Sequence, residues 1–152
     1  MASTISAADL KVKITEEVIL NGKDQGGTTE LTIGSINEVS KRIVTTDSTN
    51  STTVVSFSTV SAGGQWIESD VRYIRITNLD DTNFAILNIE GDTSTDFSVR
   101  LDPYASFLVT STSTTGVVDY GDITGVTLED LTAIKATADT AAVDLEIFVA
   151  AA

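Results

Sequence analysis

Apolar and polar residues alternate strictly near the start of the chain. Residues 10–14 read LKVKI and residues 28–33 read TTELTI, so each segment has one apolar and one polar face. This period of two predicts half-buried β-strands. The segment between them, 21–27, reads NGKDQGG and predicts a turn. Residues 10–33 are therefore predicted to form a long hairpin, with a bulge at 16–17, where the alternation slips.

A second hairpin is predicted in the middle of the chain. The segment 71–77 reads VRYIRIT, the segment 78–81 reads NLDD, and the segment 84–89 reads FAILNI. β-Branched and aromatic residues favour strands on both sides of this polar turn. Both faces of the two strands carry apolar side chains, so something besides the core must cover the second face.

Shorter apolar runs, separated by turns rich in Thr, Ser, Asp and Gly, predict further strands. These lie at 42–46, 52–59, 97–101, 104–110, 132–137 and 144–149. A short helix is predicted at 35–41, because Ser35 and Glu38 fit a capping box. About eight to ten strands with short connections predict an all-β protein, a sandwich or a barrel. The length predicts one domain over residues 1–152, with 1–45 as a hairpin or arm region that packs on it or extends from it.

The charge of the chain is strongly negative and unevenly distributed. The formal net charge is -13, from 22 acidic and 9 basic residues. Residues 1–76 hold 9 acidic and 7 basic residues, a net charge of -2, whereas residues 77–152 hold 13 and 2, a net charge of -11. This balance disfavours binding to nucleic acid and to anionic membrane surfaces. The acidity could serve solubility alone, or the acidic half could face solvent while the nearly neutral half faces a partner.

Metal and phosphate chemistry find little support in the sequence. The chain has no His and no Cys, which removes the usual general base, the commonest metal ligand and every disulfide. Asp92–Asp96 begins like a calcium loop, but Phe97 and Pro103 stand where that loop requires Gly and Glu. Gly22 and Gly26–Gly27 lack the spacing of a phosphate-binding loop, and Asn21 before Gly22 predicts a turn instead.

Paired carboxylates could act as a general acid and base. Asp80–Asp81 forms one such pair, and Asp119 with Asp122 forms another. Each pair lies beside turn residues, where Asp is favoured for local hydrogen bonds, and turn formation is the preferred interpretation. We therefore predict no enzyme activity and no catalytic, cofactor-binding or metal-binding residue.

Basic and aromatic residues are the remaining candidates for binding. Six cations could form a positive strip for an acidic protein partner, or could simply solvate strand edges. They are Lys11, Lys13, Lys41, Arg42, Arg72 and Arg75. Trp66 could be an exposed contact residue or a cap on the core. A carbohydrate-binding module, with Trp66, Tyr73, Tyr104 and Tyr120 as stacking residues, is a less favoured alternative.

Several stretches of the chain resemble small β-sandwich structural proteins of tailed, marine-type bacteriophage particles. They are VRYIRITNLDDTNFAILNI at 71–89, FSVRLDPYASFLV at 97–109, ATADTAAVDLEIFVA at 136–150, and LNGKDQGGTTELTIGSINEVSKRIVT at 20–45. This resemblance implies a β-sandwich or jelly roll. Together with the hairpin predicted at 10–33, the expected fold is an antiparallel, jelly-roll-like β-sandwich with an N-terminal β-hairpin. Segments 46–65 and 111–126 are the least distinctive.

The resemblance also implies a role in the particle. The expected function is head decoration or cementing through protein–protein contacts, with a tail, adaptor or fibre component as the alternative. The expected partners are the major capsid protein or other virion proteins and further copies of the chain, with a trimer favoured. The expected location is the virion. Assembly in the host cytoplasm is expected because residues 1–8 show no leader pattern. A neighbouring copy or a capsid lattice would then cover the second apolar face of the sheet.

Overall fold

Two β-sheets lie face to face in the computed structural model, which describes residues 4–93, 96–113 and 130–152. The strands are β1 (Ala8–Glu16), β2 (Ile19–Leu20), β3 (Lys23–Asp24), β4 (Gly27–Ile36), β5 (Glu38–Thr46), β6 (Thr52–Ser58), β7 (Trp66–Ile67), β8 (Val71–Asn78), β9 (Ala85–Gly91), β10 (Phe97–Leu101), β11 (Ser106–Thr110), β12 (Leu131–Ala138) and β13 (Val143–Ala151). Among the described residues, the one helical segment is a 3-10 turn at Glu68–Asp70. None of them forms a helix that is long and apolar enough to cross a membrane.

The two sheets have the strand orders β10-β9-β12-β6-β7 and β11-β8-β13-β5. Every pair in them is antiparallel except the short β6–β7 pair. β1 pairs with β4, and β2 pairs with β3, to form separate two-stranded ribbons. The prediction of an all-β antiparallel sandwich with an N-terminal hairpin is confirmed.

The main core lies between the two sheets and is built from alternate residues of each strand. Its largest fully buried side chains, each with at most 1% of its surface exposed, are aliphatic: Ile74, Ile76, Leu87, Ile89, Ile134, Leu145 and Ile147. Burying such a side chain stabilises a fold by about 1.5–3 kcal/mol, so this layer supplies the main driving force. β8 and β13 also carry apolar residues on their other face, and those residues belong to a second cluster.

The N-terminal hairpin has the predicted position. Its pairing runs from Leu10 opposite Ile33 to Glu16 opposite Gly27. The short β2–β3 ribbon continues beyond a break in the pairing, close to the predicted bulge. Its two-residue turn has positive φ angles at Asn21 (52°) and at the following glycine (76°), the conformation that an Asn-Gly hairpin turn requires.

The prediction of a hairpin at 71–89 is correct in its strands and wrong in their pairing. β8 lies in the four-stranded sheet and β9 in the five-stranded sheet, so the segment between them crosses the core. Packed sheets are about 10 Å apart, a distance that six residues span easily. The buried Asn78 side chain holds this crossing, because its Nδ2 donates to the carbonyl oxygens of Asn83 (2.9 Å) and Leu101 (3.1 Å). Its Oδ1 accepts a hydrogen bond from the Asp80 backbone N–H (2.9 Å).

The predicted helix at 35–41 is wrong. β4 extends through Ile36 and β5 begins at Glu38, so a single residue, Asn37, separates two strands. Asn37 donates its backbone N–H to the Ala151 carbonyl oxygen (3.0 Å), which ties this connection to the last strand. Burial of Ile36 and the strand pairing on both sides outweigh the capping pattern, and Ser35 has a φ of 64°, unlike a helix N-cap.

Other strand boundaries differ by a few residues. The strand predicted at 104–110 begins at Ser106, because Tyr104 lies in a tight turn with a φ of 62°. The strand predicted at 132–137 is confirmed as β12, and the last strand is longer than predicted, reaching from Val143 to Ala151.

We predict that Asn78→Ala lowers the free energy of unfolding by about 2–4 kcal/mol. The substitution leaves the carbonyl oxygens of Asn83 and Leu101 without the donors that pair them in a buried site. Urea denaturation measures the loss. Asn88→Ala is the control, since the half-buried Asn88 side chain bonds to the side chains of Glu90 (3.2 Å) and Ser98 (3.1 Å) rather than to buried carbonyl oxygens, and its loss should stay below about 1 kcal/mol. Equal losses in the two variants would contradict the assigned role of Asn78.

Candidate protein-binding surface

Three rows of side chains cross the outer face of the four-stranded sheet, the face turned away from the main core. Opposite residues in neighbouring antiparallel strands lie side by side, so the strand register defines the rows. In the order β11, β8, β13, β5, they are Thr110–Tyr73–Ala150–Val39, then Leu108–Arg75–Phe148–Lys41, then Ser106–Thr77–Glu146–Ile43. The first row is mostly apolar at its centre, the second alternates apolar residues with the cations Arg75 and Lys41, and the third is polar except for Ile43.

The N-terminal hairpin covers the apolar part of this face. Four residues of this second cluster are buried, and five more pack against them half-buried: Ile33, Ile36, Tyr73 and Ala150, with Leu10, Val12, Leu31, Leu108 and Phe148. The rings of Tyr73 and Phe148 meet edge to face, with their centroids 5.7 Å apart. Burial raises the pKa of the Tyr73 hydroxyl. The cover for the second apolar face is thus the chain's own hairpin, which corrects the expectation that a neighbouring molecule provides it.

A polar network crosses all four strands just beyond the hairpin. Glu146 is at its centre, with Oε1 2.6 Å from Nη2 of Arg75 and Oε2 3.0 Å from Nζ of Lys41. Arg75 also donates from Nη1 to Oγ1 of Thr77 (2.7 Å), and the Thr77 and Ser106 hydroxyls are 2.8 Å apart. The hydrogen bonds from Arg75 and Lys41 lower the pKa of the Glu146 carboxyl. This network fixes the side chains that border the hairpin.

An open groove of about 330 Å³ runs between the hairpin and the sheet. One wall is residues 10–14 of β1, and the floor is formed by Tyr73, Arg75, Leu108 and Phe148. In the described part of the chain β1 pairs with β4 alone, so its other edge is unpaired along this groove. We call this feature the outer groove.

The cations of the outer groove come from three strands that are distant in sequence or in the fold. Lys11 and Lys13 line it from β1, and Arg75 lines it from β8. Lys13 forms an exposed ion pair with Glu30 (3.1 Å), whereas Lys11 forms no ion pair with any described residue. Lys41 reaches the same face through Glu146. The outer groove therefore combines an apolar, aromatic floor with a positive rim on a strongly acidic protein.

The far end of the hairpin exposes a second apolar feature. We call residues 16–24 the arm tip. Its three successive aliphatic residues, Val18, Ile19 and Leu20, have exposed fractions of 49%, 71% and 62%. Large apolar side chains clustered on a surface usually mark a contact site.

The predicted positive strip forms in part. Lys11, Lys13, Lys41 and Arg75 lie on or beside the outer groove. Arg42 instead donates from Nη2 to the Val54 carbonyl oxygen (2.6 Å) at the edge of the sandwich. The proximity of β1 to Arg75 depends on tertiary packing and cannot be predicted from a local pattern. The part of the outer groove that the sequence does indicate is the alternation of Lys with apolar residues at 10–14.

The remaining predicted cation, Arg72, is buried and donates to the Ser69 carbonyl oxygen. It therefore lies away from the outer groove and supports the 3-10 turn before β8.

The carboxylates considered for acid–base chemistry are engaged in turns where they are described. Asp80 Oδ1 accepts the backbone N–H groups of Thr82 (2.8 Å) and Asn83 (2.6 Å), which lower the pKa of the Asp80 carboxyl. Asp81 Oδ1 accepts the Thr82 hydroxyl (2.8 Å). Asp119 and Asp122 lie outside the described residues.

Asp47 begins the turn predicted from the DSTNS sequence at 47–51, but its carboxylate was not singled out among the candidates. Its Oδ1 accepts the backbone N–H groups of Asn50 and Thr49, both at 2.7 Å, and these bonds lower its pKa to about 2. The signal was present, because Asp47 begins the polar DSTNS turn between two strands.

The structure describes only part of the acidic loop at 92–96, whose sequence begins like a calcium loop. Asp96 Oδ1 accepts the backbone N–H of Gly91 at 3.2 Å, and residues 94–95 lie outside the described part. Across the residues that the structure describes, no three acidic side chains cluster in a way that could hold a metal ion.

The candidate sugar-stacking residues occupy different parts of the fold. Tyr73 is buried beneath the hairpin on the outer face of the four-stranded sheet. Trp66 lies in β7, the edge strand of the five-stranded sheet, and packs against the main core. Tyr104 is 69% exposed in the turn before β11, and Tyr120 lies outside the described residues. The three described rings share no common platform.

Comparison of the chain with models of protein families, with curated proteins and with solved structures found no significant match.

We predict that Glu146→Gln lowers the free energy of unfolding by about 1–2 kcal/mol at pH 7, since it removes the charge that Arg75 and Lys41 share. The folded pKa of Glu146 is lowered, so this stabilisation is fully present above the ordinary value of 4.5 and is lost as the pH falls through the lowered folded value. Urea denaturation over a pH series measures it.

Glu30→Gln is the matched control for this experiment. Its ion pair with Lys13 is exposed on both sides, and such pairs contribute at most about 1 kcal/mol. A gap between Glu146→Gln and the wild type that stays constant down to pH 3 would contradict the role given to the carboxylate.

Proposed function

We propose that this protein is a non-catalytic structural component of a tailed-phage particle, with head decoration or cementing as its role. The proposal combines the sequence resemblance at 20–45, 71–89, 97–109 and 136–150 with the geometry of the N-terminal hairpin. One observation carries it. The hairpin is anchored by its base in a buried cluster and presents the aliphatic arm tip to solvent.

This geometry favours contact with other proteins. A paired ribbon holds its tip at a fixed position, so binding costs less conformational entropy than ordering a flexible tail would. The aliphatic side chains of the arm tip can enter an apolar site on a partner and exclude water there. The expected partners are the major capsid protein or other virion proteins, and further copies of the chain.

The order of the long strands supports the virion assignment. β5 pairs with β13, β6 with β12, β8 with β11, and β9 with β10, as nested antiparallel pairs distributed over two sheets. We infer from this order that the sandwich is a jelly roll, a fold used for viral capsid domains. Fold alone does not define function, so this point adds to the resemblance and does not replace it.

Turn chemistry is consistent with a structural role. Asp47 and Asp80 direct their carboxylates to the backbone of their own turns, which makes them structural groups. The proposed location, which rests on the sequence resemblance, is the virion after assembly in the host cytoplasm.

The number of copies in purified particles tests the proposal. Quantitative mass spectrometry measures this number against the major capsid protein, in particles of the phage that carries this sequence. We expect hundreds of copies per particle, because a decoration protein binds repeatedly across the head lattice.

Two other results are informative. A few copies to tens of copies would support the tail, adaptor or fibre alternative instead. Particles that lack the protein altogether would overturn the virion proposal, and glycan binding by Tyr104 would then be the next activity to measure.

A further inference from the structure

We propose that the arm tip of one molecule binds in the outer groove of a second copy, so that protomers join head to tail. This inference deepens the proposed function, on which it rests for its biological setting. It names one occupant for the outer groove and one partner for the arm tip.

The two surfaces match in their apolar character. The apolar part of the groove floor that a partner can reach comes from the half-buried side chains of Leu108 and Phe148, beside the nearly buried Tyr73. The arm tip offers Ile19 and Leu20, the most exposed large aliphatic residues of the hairpin. The groove volume of about 330 Å³ suits a few aliphatic side chains and is too small for a folded domain.

The two surfaces also match in charge. Lys11 and Lys13 line the outer groove, and Arg75 lies at its floor. The arm tip contains Glu16–Glu17 and Asp24 against a single cation, Lys23, and none of the three carboxylates forms an ion pair with a described residue. Opposite charges on the rims of a contact favour the correct partner and orientation, even where they add little affinity.

A molecule cannot fill its own outer groove with its own arm tip. The groove lies against residues 10–14 of β1, and the hairpin pairing continues without a break from Leu10 to Glu16. The arm tip begins where that pairing ends, so folding it back onto residues 10–14 would require breaking the hairpin. A second copy of the chain supplies the same segment with no such cost.

Head-to-tail contact has a definite consequence for assembly. Each molecule uses two different surfaces, so the contact repeats and forms a closed ring or an open filament, and a trimer is one such ring. It also follows that two molecules with opposite defects should complement each other. A molecule with an altered arm tip keeps its outer groove, and a molecule with an altered outer groove keeps its arm tip.

This complementation is the test. The arm-tip variant is Ile19→Asp with Leu20→Asp, and the groove variant is Lys11→Glu with Lys13→Glu. All four side chains are exposed, so both variants should fold, and their thermal unfolding is measured first. Arg100→Glu, which reverses an exposed cation outside the outer groove, is the control.

Sedimentation equilibrium of the full chain measures the result. We expect wild type and Arg100→Glu to form oligomers of the 16.0 kDa chain, and each of the other two variants to associate at least about 100-fold more weakly. An equimolar mixture of those two variants should form a 1:1 dimer of twice the chain mass and stop there. Added salt should weaken this dimer, because the rim charges are screened.

Several outcomes would overturn the inference. Wild type that stays monomeric at about 1 mM excludes this contact as a stable one. A mixture that remains monomeric while wild type associates indicates a contact that uses the same surface twice. Monomeric wild type whose binding to purified particles is lost in the groove variant assigns the outer groove to an acidic segment of another virion protein.

These failures differ from failure of the proposed function. Hundreds of copies in particles with no association in solution would overturn the head-to-tail contact alone. Association with complementation, but no copies in particles, would overturn the virion proposal and leave the contact in place.

Discussion

The double-sided apolar character of β8 and β13 determines how the rest of the molecule is arranged. Their inner faces form the main core, and their outer faces place Tyr73 and Phe148 where water would otherwise reach them. Leaving two such rings exposed would cost several kcal/mol, at about 25 cal/mol per Å² of apolar surface. The N-terminal hairpin removes that surface from water, and this requirement fixes where the base of the hairpin lies.

A charged network on the outer face of the four-stranded sheet limits the area that the hairpin covers. Glu146, held by Arg75 and Lys41, lies in the row next to Phe148, so the sheet changes from apolar to charged within one row. A hairpin shifted toward this row would bury a charged network away from water, at a high desolvation cost. The apolar cluster and the charged network therefore specify one docking position together, and the outer groove is the gap that remains at its side.

Local patterns predicted the parts of the fold that local interactions determine. Alternation at 10–33 and the Asn21–Gly22 turn gave the hairpin, because strand period and turn geometry are encoded within a few residues. The composition of 71–89 predicted its strands but not their sheets, since pairing depends on distant partners and on the buried side chain of Asn78. The capping pattern at 35–41 failed for the same reason, because tertiary pairing outweighed a local preference. The outer groove joins β1 to Arg75, a proximity that no sequence pattern contains.

The anchorage of the hairpin on β13 orders events during synthesis of the chain. The hairpin's apolar residues leave the ribosome first, but Phe148 and Ala150, which they pack against, are translated more than a hundred residues later. Contacts this distant in sequence form slowly, and the unprotected ribbon meets other proteins in the meantime. A truncated chain that lacks β13 loses Phe148 and Ala150, which are part of the apolar surface on which the hairpin packs. The hairpin therefore reaches its final packing only after the last strand has been made, and until then its apolar face stays open to other contacts.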